Sequence, residues 1–111
     1  MGIQNWSENI VLVDLPAEPE IADELKAVLD IVRDRGDCDV VIDFSGVDIL
    51  TSSSLSALLK LRKLLSDCGR RLVFCNVAAA TKNIFVTTGI DEIFEFVGDK
   101  FLALAGLQMV N

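Results

Sequence analysis

Histidine and tyrosine are absent from these 111 residues. Any acid–base chemistry would therefore fall to carboxylates, lysines or cysteines, and a zinc site would lack its usual nitrogen ligand. Cysteine is scarce as well. Cys38, Cys68 and Cys75 are odd in number and have no C-x-x-C spacing, which excludes complete internal disulfide pairing and leaves no framework for a metal knuckle. All three read as small buried hydrophobes in a reducing compartment. Basic residues are the minority charge, 10 against 17 acidic ones, for a net charge of −7 and a pI near 4.4. This argues against a general binder of phosphate backbones, because nucleic acid would be repelled. The acidity also serves plain solubility and leaves room for a basic partner or a locally basic face.

Long apolar runs are missing too. No stretch approaches the roughly 18 residues of a spanning helix, so no membrane insertion is expected. The opening "MGIQNWSENIVLVDLP" carries no basic region ahead of an apolar one, so no signal peptide is expected and the protein should be cytoplasmic. The phosphate-cradling loops G-x-G-x-x-G and G-x-x-x-x-G-K-[ST] do not occur, nor does a G-x-S-x-G nucleophile elbow. An enzyme is therefore not expected, and neither a cofactor nor a metal.

What is present is apolar patterning. Hydrophobic residues make up 51% of the chain and charged residues 24%, the balance of a packed globule, and the length suits one domain over 1–111. "NIVLVDLP" (Asn9 to Pro16) is a β-branched run closed by proline, with "GIQNW" as a partner strand across a turn at Ser7–Asn9. From Pro19 the period changes. Ile21, Leu25, Val28, Leu29 and Val32 share one helical face, acids lie in the first turn, Arg33 and Arg35 in the last, and Gly36 is a natural stop. "DVVIDF" (Asp39 to Phe44) reads as a strand buried on both faces.

A second helix is predicted from about Ser53 to Asp67, with Leu55, Leu58, Leu61, Leu65 and Cys68 on a stripe widened by Leu59 and Leu64. Its wet face carries Ser56, Lys60, Lys63 and Asp67. So wide an arc belongs to a helix pressed between a sheet and another element. "RRLVFCNV" supplies a further buried strand. A third helix ends at Gly89, with Ile90 placed for a Schellman contact. "EIFEF" is a short strand and "DKFLALAGL" a closing helix. Strands alternating with helices predict a mainly parallel sheet joined by right-handed crossovers, an α/β fold.

Two places could carry chemistry. Asp43 and Asp48 flank a strand end, where α/β folds put their sites, though both also serve as turn caps. The second is "TSSS", four consecutive hydroxyl residues, Thr51 to Ser54, where one N-cap would suffice. No Glu or Gln follows at the third position, so a capping box is missing. Unpaired N–H groups and the positive end of the helix dipole favour an anion at such a junction. A serine there is a good phosphate acceptor.

The stretch "VVIDFSGVDILTSSSLSALLKL" resembles the STAS domain, the family named for sulphate transporters and anti-sigma factor antagonists. The family's pattern is a strand with an aspartate at its end, "-S-x-V-", an apolar pair, then "Asp-Ser-Ser-Gly-Leu" opening a helix. "TTGIDEIFEF" and "GDKFLALAGL" resemble its closing segments. The resemblance implies a small mixed sheet, first strand antiparallel and the rest parallel, covered by about four helices.

It also implies a function. In small free-standing members, the serine after that aspartate is phosphorylated by a partner that is both anti-sigma factor and serine kinase, of the ATPase type. Only the unphosphorylated form binds that partner and frees the sigma factor, so transcription is regulated by partner switching. By position the acceptor is Ser52, with Ser53 and Thr51 as alternatives. Thr51 stands in place of the aspartate and Ser54 in place of the glycine. Thr51, Ser52, Ser53, Ser54 and Ser56 are the expected partner-binding residues, with Lys60 and Lys63 either at the rim or simply solvated. A monomer or weak dimer is expected. The alternative implied by the resemblance is a cytoplasmic accessory subunit of a lipid-transporting ABC system.

Overall fold

A computed structural model describes residues 2–110. Strand β1 (Ile3–Ser7) turns at Glu8–Asn9 into β2 (Ile10–Asp14). Then come helix α1 (Ile21–Arg35), β3 (Asp39–Asp43), α2 (Ser52–Asp67), β4 (Leu72–Cys75) and α3 (Ala79–Thr87). A 3-10 turn (Asp91–Ile93), β5 (Glu95–Val97) and α4 (Lys100–Val110) close the chain. The sheet order is β1-β2-β3-β4-β5; β1 is antiparallel to β2 and every other pairing is parallel. This is the mixed, mainly parallel α/β architecture expected from the sequence.

Residues alternate between the two faces of the sheet, as a period of two requires. Val11, Val13, Val40, Ile42, Leu72 and Phe74 point to the face covered by α1, α2 and α3. Ile10, Leu12, Val41, Val73 and Cys75 point to the other, which α4 covers with Ala103, Leu104 and Leu107. The centre of the larger face is aromatic. Phe74 lies with its ring centroid 4.8 Å from Phe44, 4.7 Å from Phe94, 5.8 Å from Phe85 and 5.7 Å from Phe96.

The helix ends follow their glycines. Gly36, Gly69 and Gly89 all have positive φ, a conformation that costs glycine nothing. At the end of α3 the Ile90 N–H donates to Phe85 O and the Gly89 N–H to Val86 O, a full Schellman pair as predicted. The same pair closes α2, from Arg70 to Leu65 O and from Gly69 to Ser66 O.

Three expectations are corrected. Cys68 is exposed while Cys38 and Cys75 are buried, because Cys68 is the C-cap, one residue past the last turn that faces the core. Burial pushes the Cys75 thiol up to about 12, so it stays protonated. The strand expected over "EIFEF" starts later, since Asp91–Ile93 coils into the 3-10 turn before Glu95 reaches its partner Val73. Leu59 is 36% exposed, so it leaves the stripe of α2, which is Ser54, Leu58, Leu61 and Leu65 with Leu55 and Leu64 half-buried against the core.

Because Phe74 joins four other rings, Phe74→Ala should cost about 3–5 kcal/mol, a large share of the roughly 5–15 kcal/mol that holds a domain together. Urea denaturation measures this, and a loss below about 1 kcal/mol would contradict a core centred on Phe74.

Candidate functional site: the hydroxyl cluster at the start of α2

The ends of β2, β3 and β4 meet at one rim. Leu15 N–H donates to Asp43 O and Phe44 N–H to Cys75 O, which carries the strand ladder into the loops. The loop after β3 is held from the far side by Thr81 on α3, whose buried hydroxyl donates to Asp48 O (3.2 Å). Asp48 thus contributes a backbone carbonyl. Its neighbour Ile49 stands 62% exposed.

From this loop the chain enters α2 through the four hydroxyls, which divide into two pairs. Thr51 is the N-cap, its Oγ1 accepting from the Ser54 N–H (3.2 Å). The Thr51 hydroxyl donates to Ser54 Oγ (3.1 Å), and the Ser54 hydroxyl donates to Glu18 Oε2 (2.8 Å). Glu18, in the loop between β2 and α1, also accepts from the Thr51 N–H (2.7 Å). Each proton in this chain has a partner, and such chains strengthen cooperatively. Ser52 and Ser53 stay outside it; both are exposed, and neither hydroxyl bonds to another described residue. Their backbone N–H groups are also unpaired, as the first-turn amides of a helix are.

Ser54, expected on the contact surface, is instead wholly buried. The small position in the family's pattern is filled here by a side chain that turns inward, because Glu18 gives its hydroxyl a partner. Ser56, Lys60 and Lys63 are exposed on α2, and Lys63 pairs with Asp67 at 3.3 Å.

Glu18 is the residue that sequence reasoning misses. It lies 33 and 36 positions from its two donors, and nothing in "PAEPE" distinguishes its carboxylate from its neighbours. The only available signal is position: it follows β2 at the same rim as the hydroxyls.

Beside the cluster, Asp43 is buried with defined partners. Its Oδ1 accepts from the Ser45 N–H (2.8 Å), the Ser45 hydroxyl (2.5 Å) and Asn76 Nδ2 (3.3 Å). Lys100 lies 3.5 Å from Asp43 Oδ2 and 3.6 Å from Asp14 Oδ1. Burial pushes the Asp43 carboxyl up, but the Ser45 and Asn76 hydrogen bonds and the Lys100 charge outweigh it and hold the carboxyl below its ordinary value. Asp43 is thus a structural anchor that ties β3 to the loops and to α4. Among the described residues no group of three His, Cys, Asp or Glu side chains could hold a metal, and no helix is long and apolar enough to cross a membrane.

The STAS domain family model matches residues 12–102, from the middle of β2 into α4. The chain belongs to the STAS domain family. Over 87 residues this STAS domain is 28% identical to the candidate anti-sigma factor antagonist BtrV of Bordetella bronchiseptica, covering 78% of this chain and 75% of BtrV. An anti-sigma factor antagonist domain protein from Planctomyces limnophilus superposes with a TM-score of 0.82 at 20% identity, over 97% of this chain and 99% of that one. The anti-sigma factor antagonist SpoIIAA, solved in its unphosphorylated form, superposes with a TM-score of 0.76 at 13% identity, over 96% of both chains. At these identities the superpositions establish the fold.

Two measurements test the anchors. Glu18→Ala leaves the buried Ser54 hydroxyl without its acceptor and should cost about 1–3 kcal/mol; a wild-type denaturation midpoint would show that the proton chain contributes nothing. Asp43 has a lowered folded pKa, so its stabilising contribution is complete above about pH 4 and lost as pH falls through the folded value. Stability of Asp43→Asn should therefore fall less steeply below about pH 4 than that of wild type, and parallel acid-denaturation curves would contradict this.

Proposed function

We propose that this STAS domain is an anti-sigma factor antagonist, a non-enzymatic module that regulates transcription by partner switching. Its partner is an ATPase-type anti-sigma factor with serine kinase activity, and the switch is phosphorylation of Ser52. The observation that carries this reading is the division of the hydroxyls: Thr51 and Ser54 are spent on the cap and on Glu18, while Ser52 and Ser53 are exposed and unbonded. The kinship with BtrV supports the same class of function.

Among the exposed hydroxyls, Ser52 holds the acceptor position of the family's pattern, and Ser53 is the alternative. Thr51 is a poor acceptor here, because modifying its oxygen would remove the cap on the Ser54 N–H. A phosphate on Ser52 adds about −1.5 to −2 charges beside the unpaired amides of the first turn, where a helix favours an anion. The contact surface comprises Ser52, Ser53, Ser56 and the exposed Ile49, with Lys60 and Lys63 at the rim. Against a partner that fits the neutral hydroxyl, the new charge would cost several kcal/mol, a loss of at least about a hundredfold in affinity.

Affinity capture from native lysate with wild type and Ser52→Asp in parallel is the test. Wild type is expected to retain a serine kinase of the ATPase type that Ser52→Asp releases, and phosphopeptide mapping after incubation of wild type with that kinase and ATP should place the phosphate on Ser52. Equal retention of the kinase by both chains, or a phosphate on Thr51, would overturn the mechanism. Retention of a membrane transporter ATPase by both would favour the accessory-subunit function.

A further inference from the structure

At the far end of α2 from the hydroxyl cluster, three of the chain's five arginines line one cleft. Arg62, Arg70 and Arg71, with Ser66 and Glu95, surround a space of about 150 Å³ over the apolar floor of Leu72 and Phe94. Each guanidinium is held differently. Arg71 chelates Glu95 through two bonds, 3.0 and 2.6 Å. Arg70 donates from Nη2 to Asp39 Oδ2 at 3.2 Å. Its Nε lies 3.1 Å from Asp39 Oδ1 but misaligned, so this buried N–H has no hydrogen bond. Arg62 donates from Nε to Ile93 O at 2.9 Å, and no carboxylate of the described residues lies within ion-pair distance of it.

Arg70 and Arg71 each have an ion-paired carboxylate and Arg62 has none, which leaves one guanidinium at this cleft without an ion pair, in a chain whose net charge is −7. The backbone carbonyl of Ile93 fixes Arg62 by its Nε, so the planar pair of terminal NH2 groups remains as a two-pronged donor, the geometry that matches a carboxylate. A single carboxylate would neutralise the charge of Arg62. A phosphate dianion would overshoot it and be repelled by Glu95 about twice as strongly as a single carboxylate. The space of about 150 Å³ admits a carboxylate group with a short stem.

The geometry points to a carboxylate-binding cleft built on Arg62, with Arg70 and Ser66 as further donors. The carboxylate comes from an acidic side chain of a partner protein or from a small free carboxylic acid. At a rise of about 1.5 Å per residue, Arg62 and Ser66 lie roughly 15 and 21 Å along α2 from Ser52. The cleft is therefore a second binding point, spatially separate from the phosphorylation switch.

The test is amide and arginine side-chain NMR of the full chain, titrated separately with sodium acetate and with an end-blocked peptide carrying one glutamate. Sodium chloride at equal ionic strength is the reference. Saturable shifts at Arg62 Nε–H, Ile93 and Phe94 are expected with the carboxylates and not with chloride. Arg62→Gln, which keeps a donor for Ile93 O, should weaken binding at least about tenfold, as expected for a charge-assisted pair. Glu95→Gln, which removes the competing carboxylate, should tighten it, a gain that damage to the fold would not produce. Tighter binding of the peptide than of acetate assigns the cleft to a protein partner, and the reverse to a free acid. Shifts that match chloride, or affinities unchanged in both variants, would overturn the site.

Discussion

Strand β3 is apolar on both faces, and the rest of the molecule follows from that constraint. Val40, Val41 and Ile42 are all completely buried, so the strand must have neighbours on both edges and cover on both faces. Helices α1, α2 and α3 supply one layer and α4 the other. The polar groups lie at its two ends. Asp39 accepts from the Arg71 N–H and pairs with Arg70 at the start, and Asp43 gathers Ser45, Asn76 and Lys100 at the finish. A buried carboxylate persists only with partners of this kind, so the same residues that end the strand also fix the loops that follow it.

That arrangement makes the rim beside Asp43 a rigid place from which to present a side chain. The loop from Phe44 to Leu50 is tied at Cys75 O behind it and at Thr81 beside it, and the first turn of α2 is tied to Glu18 across the rim. Within this frame two hydroxyls are consumed and two are displayed. Thr51 caps the helix without a carboxylate of its own, and Glu18 brings a carboxylate to the same corner from a different loop. A carboxylate thus stands at the junction although the run Thr51–Ser54 holds none.

The distribution of charge adds a second theme. The rim carries Asp14, Asp43 and Glu18, whereas three of the five arginines gather at the other end of α2. One helix therefore connects an end that displays hydroxyls with an end that displays guanidiniums. A chain with a strongly negative total can still offer a positive cleft, because partners respond to local field more than to net charge.

Periodicity and glycine placement make most of the architecture readable from residues alone. The spacing of Ile21, Leu25, Val28 and Val32, the run Val40–Ile42 and the stops at Gly36, Gly69 and Gly89 are local signals, and each reports a local outcome. The run Thr51–Ser54 likewise announced a helix start with hydroxyls to spare. Which of them were spare could not be read there, since the answer depends on Glu18, 33 positions away from Thr51. The gathering of Arg62, Arg70 and Arg71 was decided in the same way by tertiary packing. A side chain's periodic position sets the face it occupies, but what stands opposite that face is determined only when the elements pack.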